Sequence, residues 1–202
     1  MSMTTAIITG DIINSRKEAP QIWLPHLKEA LNNYGQEPKH WEVYRGDSFQ
    51  LEVIPEKALE AAIYIKSCLK QESIIDVRMA IGLGEKDYDA EKLTESNGSA
   101  FVNSGECFEG LKKQTLGIKS NNQAFDDTIN LMLQLALLTM DNWHPASSRT
   151  LKTAIENPKS NQKELAKLLG KSQSSISEAL LRTGFDEVKK MMQFYTTQLQ
   201  QL

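Results

Sequence analysis

Asp11 and Asp47 are the residues in this chain whose type and setting best suit chemistry. Each follows a glycine and lies near an arginine, in ITGDIINSR and YRGDSFQ. Two carboxylates brought to one sheet edge make a site for a hard cation, and Mg²⁺ takes few protein carboxylates and completes its shell with phosphate oxygens. Such an edge suits a metal-bound nucleotide. Gly10 and Gly46 would let the backbone approach it, and Asn14, Ser15, Arg16 and Arg45 would contact its phosphates. Spacing alone favours a plainer reading: Asp11 caps a turn, Asp47 forms a hairpin turn, and each arginine balances one of them.

A second candidate lies at 161–181, NQKELAKLLGKSQSSISEALL. Ala166 and Gly170 stand where two crossing helices need a small residue and a turn former. Leu165, Leu169, Ile176 and Leu180 supply the apolar anchors, so the segment predicts a helix-turn-helix. Asn161 and Glu164 form a capping box for the first helix, and Ser172 caps the second. Lys171, Ser172, Gln173, Ser174, Ser175, Ser177 and Arg182 then face outward as candidate contacts to base edges and phosphates in a major groove. The same pattern also fits a helical hairpin that serves only protein contacts.

Charge follows this division. From residue 143 to 202 there are nine Lys/Arg and five Asp/Glu, a net +4; the remainder holds fourteen and twenty-one, a net −7, within an overall −3. A modest +4 predicts weak, salt-sensitive DNA binding that gains from a homodimer. The length of 202 residues and 40% hydrophobic content allow one full core and a smaller one. Two cysteines and three scattered histidines argue against a disulfide framework or a zinc cluster. No membrane span and no signal peptide are expected, and the expected location is the cytoplasm.

The elements that must position these residues follow from periodicity. Thr4–Ile13 predicts a buried strand, Pro20–Tyr34 a helix, Trp41–Tyr44 and Ser48–Ile54 a hairpin, Glu56–Glu72 a helix and Ile75–Leu83 a strand. The order β-α-β-β-α-β predicts an α+β, ferredoxin-like domain, an antiparallel sheet covered by two helices. A helix over Ser99–Lys113, a short strand near Leu116–Ile118 and an apolar helix over Phe125–Trp143 come next. That last helix is apolar around most of its circumference, so it is either buried within the chain or paired with its copy. Helices over Arg149–Ile155, through the 161–181 segment and over Phe185–Leu199 complete an all-α end. The expected division is 1–120, a linking helix 121–143, and 144–202.

The succession ITGDIINSR, RGDSFQ, VRMAIGLGE, NGSAFVNSGECFEGLKK and a C-terminal helix-turn-helix resembles the SatD family of bacterial proteins across essentially the entire chain. Its first three motifs are similar to the class III nucleotidyl cyclase catalytic domain. That resemblance implies metal ligation by Asp11 and Asp47, and it matches Asn103 to an asparagine of the late cyclase helix. The chain departs from both patterns. Cys107 stands where cyclases carry a phosphate-stabilising arginine, and Gly105 stands where SatD-like proteins carry one. Ser48 replaces a common acid. Loss of that fixed cation implies binding without efficient turnover. The expectation is a DNA-binding transcriptional regulator with a degenerate cyclase-like sensor responsive to a nucleotide and Mg²⁺. The alternatives are an active nucleotidyl cyclase or transferase, and a non-catalytic scaffold.

Overall fold

Thr5–Ile13 forms β1, the middle of the sheet, because Ile and Thr dominate it and it can be buried on both sides. The computed structural model describes residues 5–201. Thr4, the expected first residue of this strand, lies outside them. After β1 come α1 (Pro20–Asn32), β2 (Trp41–Tyr44), β3 (Ser48–Val53), α2 (Ala58–Leu69), β4 (Asp76–Gly84), α3 (Ser99–Gly110) and β5 (Leu116–Lys119). The sheet order is β2-β3-β1-β4-β5. The β2–β3, β3–β1 and β1–β4 pairs are antiparallel, and β5 joins β4 in parallel.

The architecture is thus α+β with a mixed five-stranded sheet, whereas the sequence predicts a purely antiparallel one. β4 is buried at nearly every position rather than at alternate ones, so both of its faces need cover. Helix α3 supplies the second layer and returns the chain to run parallel beside β4, as such a crossover must. Ala6, Ile8 and Ile12 face the main core with α1 and α2, while Ile7 packs with Leu93 and Ala100 on the α3 side.

The C-terminal part is α4 (Gln123–Met140), α5 (Pro145–Glu156), α6 (Gln162–Leu169), α7 (Gln173–Thr183) and α8 (Phe185–Leu199). Asn122 caps α4 by accepting from the Phe125 N–H. One face of α4 is buried through Phe125, Ile129, Leu133, Leu137 and Met140. The other carries Leu131, Leu135 and Leu138 and stays exposed, so burial within the chain covers only half of this helix. Leu151, Val188, Met191 and Tyr195 from α5 and α8 join the same core as the sheet. Polar ties reinforce it: the Tyr195 hydroxyl donates to the Pro55 carbonyl at 2.7 Å, and Trp143 Nε1 donates to the Thr183 carbonyl at 3.0 Å.

Lys66, which periodicity places on the apolar stripe of α2, is fully buried. Its ammonium lies 2.7 Å from Asp76 and 2.8 Å from Asp141, and it donates to the Thr115 hydroxyl. Lys70 reaches Asp76 as well and donates to the Asp141 carbonyl. A buried cation persists only with such complete partners, and here they join α2, β4 and the end of α4. Among the described residues no helix is long and apolar enough to cross a membrane.

Candidate functional site

Strand register brings the predicted carboxylates to one end of the sheet. Asp11 is opposite Ser48 on β3, and the Ile12 N–H donates to the Asp47 carbonyl at 3.0 Å. On its other side Asp11 is opposite Arg78 of β4, whose guanidinium donates to both carboxylate oxygens, at 3.3 and 2.9 Å. The same guanidinium lies 4.5 Å from the centre of the Phe108 ring on α3. Asp47 accepts from the Ser15 hydroxyl at 2.6 Å. Asn14, with φ at 65°, donates its amide to the Ile74 carbonyl. Arg16 and Arg45 remain exposed, and neither forms an ion pair among the described residues.

As built, Arg78 balances Asp11 through a hydrogen bond to each of its oxygens, so a Mg²⁺ at this edge would compete with that guanidinium. No group of three or more His, Cys, Asp or Glu able to hold a metal occurs among the described residues. Gly10 has a packing reason: a Cβ there would lie 2.5 Å from the Phe49 ring. Asn103 is buried and donates to the Leu83 carbonyl, fastening α3 to the sheet. Cys107 offers a neutral thiol in place of a cation: burial, and then the nearby Asp126 charge, push its pKa up to about 11, so it stays protonated.

The helix-turn-helix is assembled by the local signals that predict it. Asn161 accepts from the Lys163 and Glu164 N–H groups, and the Glu164 carboxylate accepts from the Asn161 N–H at 2.8 Å. Gly170 ends α6 at φ 62°, and the Lys171 N–H returns to the Ala166 carbonyl at 2.9 Å. A side chain would strain that left-handed position. The Ser172 hydroxyl accepts from the Ser175 N–H, starting α7. Beneath the turn, Leu165, Ala166 and Ile176 pack with Ala154 of α5, so three helices share a small second core.

The tip this creates points to solvent. Lys171, Ser172, Gln173, Ser174, Ser175 and Ser177 are all exposed. The side chains of Lys171, Gln173 and Ser177 form no hydrogen bond or ion pair with any described residue. Lys159, Lys163 and Lys167 are exposed on the adjoining loop and on α6. Arg182, at the other end of α7, pairs with Glu178 at 3.2 Å.

Sequence reasoning missed Arg78, which the β1–β4 register would have found, and a cavity of about 510 Å³ at the junction of the two parts. Leu59 of α2, Leu165 of α6 and Met192 and Tyr195 of α8 wall it, with Glu56, Glu60, Asp186 and Lys189 among its polar groups. Apolar walls with a few charges suit a small amphipathic molecule. In comparisons with known proteins, no family model and no curated sequence matches this chain.

Proposed function

We propose that the protein is a cytoplasmic bacterial DNA-binding regulator of the SatD type, with α7 as its recognition helix. The observation that carries this reading is the exposed polar tip of α7, where the Lys171, Gln173 and Ser177 side chains are unpartnered and Ser174 and Ser175 bond only to the neighbouring Ser172, raised on a glycine-closed turn and flanked by exposed lysines. Gln173, Ser174, Ser175 and Ser177 read base edges, and Lys171 and Ser172 position the phosphate backbone. The N-terminal part is a ferredoxin-like, cyclase-like domain in this reading. Its support is the antiparallel β2-β3-β1-β4 portion, to which β5 is an addition.

A small effector acts on the junction cavity, where it would touch α2 on one side and the α5–α6 loop on the other. A nucleotide with Mg²⁺ at Asp11 and Asp47 is the second ligand reading, and it requires Arg78 to release Asp11. The test of DNA binding is a gel shift with genomic fragments at about 50 and 200 mM salt, with roughly forty-fold weaker binding expected at the higher salt for three lysine–phosphate contacts. Absence of any shift at the lower salt would retire the DNA role in favour of a protein-contact scaffold. Incubation with nucleoside triphosphates and Mg²⁺ or Mn²⁺ tests the enzymatic alternative. Turnover lost in both Asp11→Ala and Asp47→Ala would put a nucleotidyl cyclase or transferase in its place.

A further inference from the structure

Helix α4 turns its second apolar face to solvent. Leu131, Leu135 and Leu138 are 58%, 63% and 74% exposed, and Leu181 at the end of α7 is 81% exposed. Steps of four and three residues are the spacing of a helix-pairing seam. Beside this ridge runs a groove of about 600 Å³, lined by Met132, Leu135, Ala136, Leu181, Val188 and Met191. An apolar surface of this extent marks an interface rather than ordinary scatter.

We propose that this face is where two copies of the chain pair about a twofold axis, the leucine ridge of each seated in the groove of the other. A twofold interface must be complementary to itself, and here ridge and groove lie side by side on one surface. Thr128, Gln134, Thr139 and Asn142 flank the leucines, and the groove carries one charge of each sign, Arg182 and Glu187, which a twofold partner can oppose. The 18 residues of α4 span about 27 Å, and with α7 and α8 beside it the face is about 20 Å wide. Two such faces cover about 1,100 Å², enough to pass the ~1,000 Å² expected of a specific interface.

Pairing here leaves the DNA-reading tips free, because Leu181 sits at the opposite end of α7 from Gln173. Two 11-residue helices meeting at those ends would hold their tips about 33 Å apart, close to the ~34 Å turn between half-sites. That spacing argument rests on the DNA-binding reading; the pairing itself does not.

The experiment is sedimentation velocity on the full chain from about 1 to 100 μM, a range that spans micromolar association. The expected species has twice the 22.7 kDa chain mass. Leu135→Glu and Leu138→Glu are expected to sediment as single chains with an unchanged circular dichroism spectrum. Leu168→Glu, at an equally exposed leucine on α6 away from this face, stays paired. Leu138→Gln, a milder change, serves if a glutamate variant loses its fold, and it is expected to weaken association at least ten-fold. A wild-type monomer at the highest concentration, or a folded Leu135→Glu that still pairs, overturns the proposal. A wild-type monomer that shifts DNA would overturn it while leaving the DNA reading intact; a dimer that shifts none would do the reverse.

Discussion

The carboxylate end of the sheet and the tip of α7 are both polar, and both stood out in the sequence, yet the chain treats them in opposite ways. At the sheet end the two carboxylates and Asn14 are answered from within, Asp11 by Arg78, Asp47 by Ser15 and Asn14 by the Ile74 carbonyl, and only Arg16 and Arg45 among the predicted contacts stay exposed without an ion pair. At the tip, Lys171, Gln173 and Ser177 spend nothing on their neighbours and keep their hydrogen-bonding capacity for something outside. The difference teaches that a polar motif is informative about ligands only once its internal partners are known.

The contrast can be broken hardest at its most internal extreme. Lys66→Ala removes a buried cation and leaves Asp76 and Asp141 facing each other, so a loss of about 3–5 kcal/mol is expected in urea unfolding. The tip should behave in the reverse manner. Gln173→Ala with Ser174→Ala and Ser177→Ala is expected to leave stability within about 0.5 kcal/mol. It should weaken specific DNA binding by at least ten-fold in a titration, about 1–3 kcal/mol for each lost bidentate base contact.

Alkali offers a milder test of the packed side. Burial pushes the Cys68 thiol from its ordinary 9.0 up to about 12. Between those values the unfolded chain loses this proton while the folded chain keeps it, so stability is full below about pH 9 and falls as pH rises. About 1–2 kcal/mol should be lost by pH 10, and Cys68→Ala should flatten the slope, whatever its offset at neutral pH. Smallest of all, Arg78→Ala should cost about 1 kcal/mol or less, because the pair is about one-third exposed. The same variant frees Asp11, so Mg²⁺ affinity by calorimetry should rise. No change in either quantity would remove the picture of an internally satisfied edge.

What the sequence made legible was local. The capping box, the glycine turn and the apolar spacing of 161–181 act over a few residues, so they can be read without knowing the fold. Strands β1 to β4 were legible from their β-branched and alternating runs, and β5 from a short apolar segment. The pairing of Asp11 with Arg78 was not, since it joins positions 67 apart and depends on strand register. Nor was Lys66, whose long aliphatic stem fits an apolar stripe while its partners come from β4 and α4. Periodicity identified both apolar faces of α4 but could not say which one the chain covers, because that depends on where α8 and the sheet lie.

Leu151, Val188, Met191 and Tyr195 belong to the same core as β1 and α2, and Tyr195 is fastened to Pro55. The helix-turn-helix is therefore not a detachable module on a tether. Severing the chain near residue 144 would bare greasy surface on both fragments and invite aggregation, so truncation is a poor way to assign activities to the two ends. Intact, the chain has no slack linker between α2 and the helices that carry the exposed polar tip, so the two ends share one rigid core.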